Sequence, residues 1–268
     1  MNGLDLFSGI GGISEALEPW VRTVAYCEND RYAQGVLLSR MQSGDIDRAP
    51  IWDDITTLTG DMLPKIDIIF GGFPCQDIST AGAGVGLGAE RSGLFFEILR
   101  LAKELRPKFI FLENVPAIRT RGLNHVAESL ACAGYDCRWD FVSAEEVGAP
   151  HKRQRWFLLA HANGAELRIK QGRSGRQNRK IEIKSQCNGG EKSVGDSSGE
   201  GLQNRPEITL GKSGEIQEFE RSDWWTVEPN VGRVANGVSN RVDRIKCLGN
   251  SVVPIQAREA FERLCGIK

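Results

Sequence analysis

Histidine is scarce in this sequence: only His125, His151 and His161 occur in 268 residues, and none of the seven cysteines forms a Cys-x-x-Cys pair. A Cys/His zinc site is therefore not expected. An odd number of unpaired cysteines points to reduced thiols, not to a disulfide framework. Long apolar runs are missing too, since none approaches the roughly 18 residues needed to cross a bilayer. No basic leader precedes the apolar start Met1-Asn2-Gly3-Leu4-Asp5-Leu6-Phe7, which excludes a signal peptide and sets a cytoplasmic location as the expectation. Charge of one sign is also lacking. A net charge of −1 gives no global attraction to a polyanion, so any nucleic-acid binding must come from local basic patches. What is present, 40% hydrophobic and 26% charged residues, suits a globular chain with one large α/β domain and a smaller appendage.

The centre of the pattern is Gly71-Gly72-Phe73-Pro74-Cys75-Gln76, which follows the apolar run Ile66-Asp67-Ile68-Ile69-Phe70. An apolar run closed by two glycines reads as a buried parallel strand delivering the chain to a loop at the sheet edge, where α/β enzymes place their chemistry. Cys75 then stands where a nucleophile would. The alternative is a small buried hydrophobe, the usual fate of a free cysteine. Pro74 weighs toward the first reading, because it stiffens its own φ and extends Phe73. Gly82, Gly84, Gly86, Gly88 and Gly93 follow closely, a density that suggests a moving loop beside the thiol.

Upstream, Gly3 to Phe7 reads as a first strand, running into the turn Ser8-Gly9-Ile10-Gly11-Gly12 and the helical stretch Ile13 to Leu17. Such a turn brings backbone N–H groups up to a ligand at a helix N-terminus. As a dinucleotide fingerprint it is imperfect, with Ser14 where the third glycine would fall. A second strand, Val21 to Glu28, ends in an acid 19 positions after Gly9. From there a carboxylate reaches ribose hydroxyls, or else serves as an ordinary strand-end acid. A helix is expected over Asp30 to Met41 and a third strand ending at Asp54-Ile55. There Asp54 either accepts from an adenine amino group or caps Thr56, and local sequence weighs the two equally.

Leu94, Phe95, Ile98, Leu101, Ala102 and Leu105 recur at helical spacing, with Pro107 as the stop. Phe109-Ile110-Phe111-Leu112 is the next buried strand and carries Glu113-Asn114-Val115-Pro116 to the same edge as Cys75. An acid in that position is a candidate proton carrier, because desolvation raises its pKa. Tyr135 to Val142 alternates as a strand, and His151 to Leu159 makes another, with Arg153 and Arg155 at its start. From Asn163 the composition turns to glycine, serine and basic residues, marking a domain boundary. Arg168, Lys170, Arg173, Arg176, Arg179, Lys180 and Lys184 face the single acid Glu182 there, either a phosphate-contacting stretch or a solvated face. Apolar content returns with Leu248 to Pro254 and a short amphipathic helix over Ile255 to Leu264.

In order, Asp5-Leu6-Phe7-Ser8-Gly9-Ile10-Gly11-Gly12, Gly72-Phe73-Pro74-Cys75-Gln76, Glu113-Asn114-Val115, Lys152-Arg153-Gln154-Arg155 and Gly249-Asn250-Ser251-Val252-Val253-Pro254 resemble the motif set of the DNA (cytosine-5)-methyltransferases, most closely the compact bacterial and phage type. The resemblance covers about residues 1–160 and 245–268. The family's arginine-led segment before the last motif is not cleanly present, with Arg233 or Arg241 in its place. The implied fold is α/β, a Rossmann-like S-adenosylmethionine-dependent methyltransferase sheet with a small target-recognition domain. The implied division is 1–160 for catalysis and cofactor binding, 161–240 for target recognition, and 241–268 as a segment returning to the catalytic domain.

The resemblance further implies catalytic roles for Cys75, Gln76, Glu113, Arg153 and Arg155, and cytosine contacts at Phe73 and Pro74. S-adenosylmethionine would be held by Phe7, Ser8, Gly9, Gly11, Gly12, Glu28, Asp54, Ile55, Leu94, Asn250, Ser251 and Val252, with no metal. The implied substrate is double-stranded DNA, methylated at C5 of a flipped-out cytosine through a covalent Cys75–C6 adduct, by a monomer serving restriction-modification or phage and host DNA protection. A restriction endonuclease is the candidate partner. The alternatives are a tRNA cytosine-5 methyltransferase, disfavoured by Phe73 where those relatives tend to carry a second proline, and a catalytically inactive DNA-binding relative, disfavoured by intact Cys75, Gln76, Glu113 and Arg155. Ser14 and the Cys75/Glu113 pair argue against a nicotinamide-dependent oxidoreductase.

Overall fold

Apolar strands alternating with helices wind the described residues into a single sheet with helices on both faces. The computed structural model describes residues 1–74, 93–163 and 241–267, all within one compact unit. In chain order these form β1 (Asn2–Leu6), α1 (Gly12–Leu17), β2 (Arg22–Cys27), α2 (Arg31–Ser43), β3 (Ile51–Trp52), β4 (Ile68–Gly72), α3 (Leu94–Leu105), β5 (Phe109–Asn114), α4 (Ile118–Arg121), α5 (Leu123–Cys132), β6 (Tyr135–Val142), β7 (Arg155–Ala162), α6 (Arg241–Asn250) and α7 (Pro254–Cys265). Cys75, Gln76, the glycine-rich loop up to residue 92 and the segment 164–240 with its basic stretch lie outside the described residues.

The described strands lie in the order β3-β2-β1-β4-β5-β7-β6. The first five are parallel, β7 runs antiparallel to β5, and β6 is antiparallel to β7. Strand order reverses between β1 and β4, so a crevice opens outside their carboxyl ends, the place where such sheets take ligands. This is the expected Rossmann-like arrangement, closed at one edge by the β6–β7 hairpin.

Side chains alternate cleanly across the sheet, as a pleat requires. Ile69, Ile110, Leu112, Trp156 and Leu158 face one layer, packed on Phe95, Ile98, Leu101 and Ala102 of α3 and on Val126 and Leu130 of α5. Ile68, Phe70, Phe109, Phe111, Phe157 and Leu159 face the other, covered by Ile13, Ala16 and Leu17 of α1 and by Ala257, Ala260, Phe261 and Leu264 of α7. Phe111 stacks on Phe157 at 5.8 Å and meets Phe261 edge-on at 5.2 Å. Each such buried side chain contributes about 1.5–3 kcal/mol. The last described helix is thus part of the core.

Three boundaries differ from the sequence reading. Helix α2 runs to Ser43, with Asp30 as its N-cap, accepting from the N–H groups of Tyr32 and Ala33. Strand β3 stops at Trp52, short of Asp54-Ile55. The Asp54 carboxylate captures the Thr56 N–H at 2.9 Å and its hydroxyl at 2.7 Å, and this local turn competes with strand pairing. Helix α6 occupies Arg241–Asn250, where only a lead-in to the last helix was expected. Its apolar residues Val242, Ile245 and Leu248 are exposed, so no buried stripe announced it. Among the described residues no helix is long and apolar enough to cross a membrane, and no cluster of His, Cys, Asp or Glu is placed to hold a metal ion.

Candidate active site

Two glycines at the end of β4 allow its carboxyl edge to crowd its neighbours. A Cβ on Gly71 would lie 1.9 Å from the Leu6 carbonyl oxygen, and one on Gly72 would lie 2.7 Å from Glu113 Oε2. Only glycine fits at Gly71, where the obstacle is backbone. Beyond them Phe73 is buried against Phe95 at 5.4 Å, and its carbonyl accepts from Asn114 Nδ2 at 2.9 Å. Asn114 Oδ1 accepts in turn from the Val115 N–H at 2.8 Å. A buried side-chain amide therefore fixes the backbone two residues before Cys75, leaving the Phe73 carbonyl one further lone pair.

Glu113 is paired with Gly72 in the β4–β5 register and with Phe157 across β7. Its side chain is 13% exposed and meets Arg155 Nε at 2.9 Å. Burial raises its carboxyl from 4.5 to about 7, against the opposing pull of Arg155 and Arg153. A carboxyl so poised exchanges a proton near neutrality. Arg155 also donates to the Gln154 carbonyl at 3.0 Å. Arg153, with φ of 23°, turns instead to the end of α6, where its Nη2 donates to the Gly249 carbonyl at 2.7 Å and to the Ser251 carbonyl. Burial lowers its guanidinium below the ordinary value.

Beside that crevice, at the carboxyl ends of β1 and β2, the turn after β1 is shaped by left-handed backbone at Phe7 (φ 55°), Gly9 (φ 54°) and Gly11 (φ 81°). Phe7 adopts this in spite of its side chain, an uncommon conformation often found where a ligand is bound. The Ser8 hydroxyl donates to the Asp5 carbonyl at 2.8 Å and anchors the turn. Glu28 sits beneath it: Oε2 accepts from the Gly9 N–H at 2.7 Å and Oε1 from the Asp30 N–H at 2.8 Å. A Cβ on Gly9 would meet nothing within 4 Å, whereas one on Gly12 would meet Val252 at 3.0 Å. The segment Asn250-Ser251-Val252 thus closes on the loop from the C-terminal side. Leu94 is half-buried at the start of α3, Ile55 is buried, and Asp54 is exposed.

Ser14 has a use in this architecture. Its hydroxyl donates to Asp5 Oδ2 at 2.6 Å and lies 3.0 Å from the Thr23 hydroxyl, all three residues being buried. Burial and the Glu28 charge raise the Asp5 carboxyl to about 8. A third glycine would remove the Ser14 bond from that carboxyl.

A family model for C-5 cytosine-specific DNA methylases matches residues 1–230. The chain belongs to this family. Type II methyltransferase M.CviJI of Paramecium bursaria Chlorella virus IL3A is 38% identical over 159 residues, 59% of this chain and 42% of that protein. Type II methyltransferase M.NgoBV of Neisseria gonorrhoeae is 33% identical over 169 residues, 58% of this chain and 40% of that protein. The chain therefore spans under half the length of these relatives. Among solved structures, a prophage-encoded E. coli protein assigned as a DNA modification methyltransferase aligns with a TM-score of 0.50 and 27% identity, covering 63% of this chain and 49% of the other.

The site residues named from sequence fall into two groups along one sheet edge. Phe7 to Gly12, Glu28 and Ser251-Val252 surround the crevice, and Phe73, Glu113 and Arg155 meet at the ends of β4, β5 and β7. Asp54, exposed beyond the end of β3, has Oδ1 committed to Thr56. Sequence reasoning missed Asn114 and Gln256 as holders of site backbone. Asn114 stood within a motif already singled out, and a buried amide after a strand was the available signal.

Proposed function

We propose that this chain is a DNA (cytosine-5-)-methyltransferase acting on a cytosine flipped out of double-stranded DNA. The observation that carries the reading is the Glu113–Arg155 pair, held against Gly72 three residues before Cys75. Cytosine C5 is a poor nucleophile until a group adds at C6. The Cys75 thiolate would form the S–C6 bond, moving the C5–C6 π pair onto C5, while protonated Glu113 bonds N3 and stabilises the developing charge. Arg155 would hold O2, and the free lone pair of the Phe73 carbonyl would accept from the exocyclic amine. With that pair C5 would bond the methyl carbon, the old methyl–sulfur pair leaving with the sulfur as a neutral thioether; removal of the C5 proton and cleavage of S–C6 then restore aromaticity and free the thiolate.

The crevice suits S-adenosylmethionine. Glu28 keeps a second lone pair on each oxygen for ribose hydroxyls, Gly9 leaves the approach open, and Asp54 keeps Oδ2 for an adenine amine. The group supplies, when bound, an electrophilic methyl. Residues 161–240 would form the target-recognition domain, and the basic stretch from Arg168 to Lys184 would contact phosphates. We read the protein as a cytoplasmic monomer serving restriction-modification or phage and host DNA protection, alongside a companion endonuclease. Extruding the base costs a few kcal/mol, about the worth of the contacts that replace stacking.

The decisive test is incubation with DNA carrying 5-fluorocytosine and S-adenosylmethionine. Fluorine cannot leave as a proton does, so a covalent protein–DNA adduct should accumulate in the wild-type and be absent in Cys75→Ser. Methylation without an adduct would remove Cys75 from the mechanism, and methylation of tRNA alone would move the substrate to RNA.

A further inference from the structure

The chain enters β7 through a backbone that its own residue type disfavours. Arg153, at φ of 23°, lies in the left-handed region, and non-glycine residues stay there only when their surroundings hold them. Two residues later Arg155 reaches Glu113. The holder is Gln256 in the first turn of α7, fully buried, whose Nε2 donates to the Arg153 carbonyl at 2.8 Å and to the Val142 carbonyl at 2.7 Å. Val142 and Arg155 are the last register pair of the β6–β7 hairpin. The amide therefore bridges the two strands where their own ladder ends. Its Oε1 is buried without a hydrogen bond, so the side chain is used only through its two N–H donors. From the other side, the Arg153 guanidinium grips the Gly249 and Ser251 carbonyls.

We propose that Gln256 is a positioning residue for methyl transfer: by fixing the start of β7 through the Arg153 and Val142 carbonyls, it holds the Arg155 guanidinium against Glu113. The assignment rests on the methyltransferase reading for its meaning, though not for its geometry. A volume-conserving residue without donors would release the Arg153 backbone, let Arg155 drift, and weaken the attraction that keeps the Glu113 proton labile. Among the described residues, the charged groups facing Glu113 are Arg155 and Arg153, both at the entry to β7; β4 presents only the uncharged Gly72.

The test is a carbon NMR titration of the Glu113 carboxyl in wild-type, Gln256→Leu and Gln256→Glu, with turnover and S-adenosylmethionine KM alongside. Gln256→Glu, protonated in this buried site, keeps one donor of two. Loss of both donors should move the Glu113 midpoint up by about half to one unit, since an opposite charge nearby is what opposes desolvation. Turnover should fall roughly tenfold with KM unchanged, as for an interaction that acts in the transition state. Gln256→Glu should fall between the two. An unchanged midpoint in Gln256→Leu overturns the proposal whatever turnover does. Should Gln256→Leu not fold, a wild-type titration in Gln256→Glu overturns it equally. A wild-type protein that titrates as expected yet methylates nothing would instead refute the methyltransferase reading, leaving the positioning assignment intact.

Discussion

Two carboxylates stand at the carboxyl edge of one sheet and are held in opposite ways. Glu28, at the end of β2, rests on two backbone N–H groups, those of Gly9 and Asp30. Glu113, at the end of β5, is bonded among the described residues by the Arg155 side chain, with Arg153 adding charge, in a setting dry enough to lift its pKa to about 7. Backbone donors cannot swing away, so Glu28 is a fixed acceptor suited to binding. A guanidinium on a flexible stem can yield, so Glu113 is suited to gaining and losing a proton. The difference between binding and chemistry is thus written in what each carboxylate leans on.

The sharpest way to break this comparison is Glu113→Gln, which keeps shape but has no proton to exchange. Turnover should drop about 10²–10⁴-fold, the usual worth of a general acid, while S-adenosylmethionine affinity by calorimetry stays unchanged. The same variant has a stability signature. Folded Glu113 titrates near 7 against 4.5 ordinarily, so between those values the native state binds more protons than the unfolded chain. Stability therefore falls as pH rises through that window and stays low above it. At about 1.4 kcal/mol per unit the full loss is about 3 kcal/mol. Glu113→Gln should reduce the stability difference between pH 4.5 and 8 in urea melts by about that amount, the share of buried Asp5 remaining. A slope unchanged by the substitution would mean that burial is not what lifts Glu113.

Next in size, Glu28→Ala should weaken S-adenosylmethionine by about 1.5–3 kcal/mol, a charge-assisted hydrogen bond's worth, with the maximal rate retained at saturation. A fall in maximal rate at saturation would collapse the distinction between the two acids. Asp54→Ala is expected to do least. With Oδ1 engaged by Thr56 and the side chain exposed, one adenine contact is at stake, and affinity should fall about fivefold, as for a single hydrogen bond in water's reach. Unchanged affinity would leave Asp54 as a turn-former only.

Much of this arrangement was legible in the chain. The strand–turn–helix after β1 and the convergence of Glu113 with Gly72-Phe73-Pro74 at one edge follow from apolar runs ended by glycine or acid. What escaped notice involves partners far apart in sequence and backbone atoms with no residue identity. Gln256 holds a carbonyl 103 positions away, and Asn114 one 41 positions away, and no periodicity encodes either. The left-handed Phe7 was equally hidden, because residue type argues against it. Ser14 read as a flaw in a glycine pattern until Asp5 appeared beside it. Sequence patterns report which faces are buried; they say little about which carbonyl a buried amide will choose.

Helix α7 supplies Phe261 and Leu264 to one whole face of the sheet and reaches α1 through Arg258, whose Nε donates to the Ala16 carbonyl 242 positions earlier. During synthesis, then, a face carrying Phe70, Phe111 and Phe157 waits half-bare. At 5–20 residues per second, the stretch from β7 to α7 takes roughly 5–20 s to emerge. Throughout that interval the nascent protein presents a greasy, strand-backed surface to solvent, which makes the ribosome-bound form a natural client for chaperones and C-terminal truncations prone to aggregate.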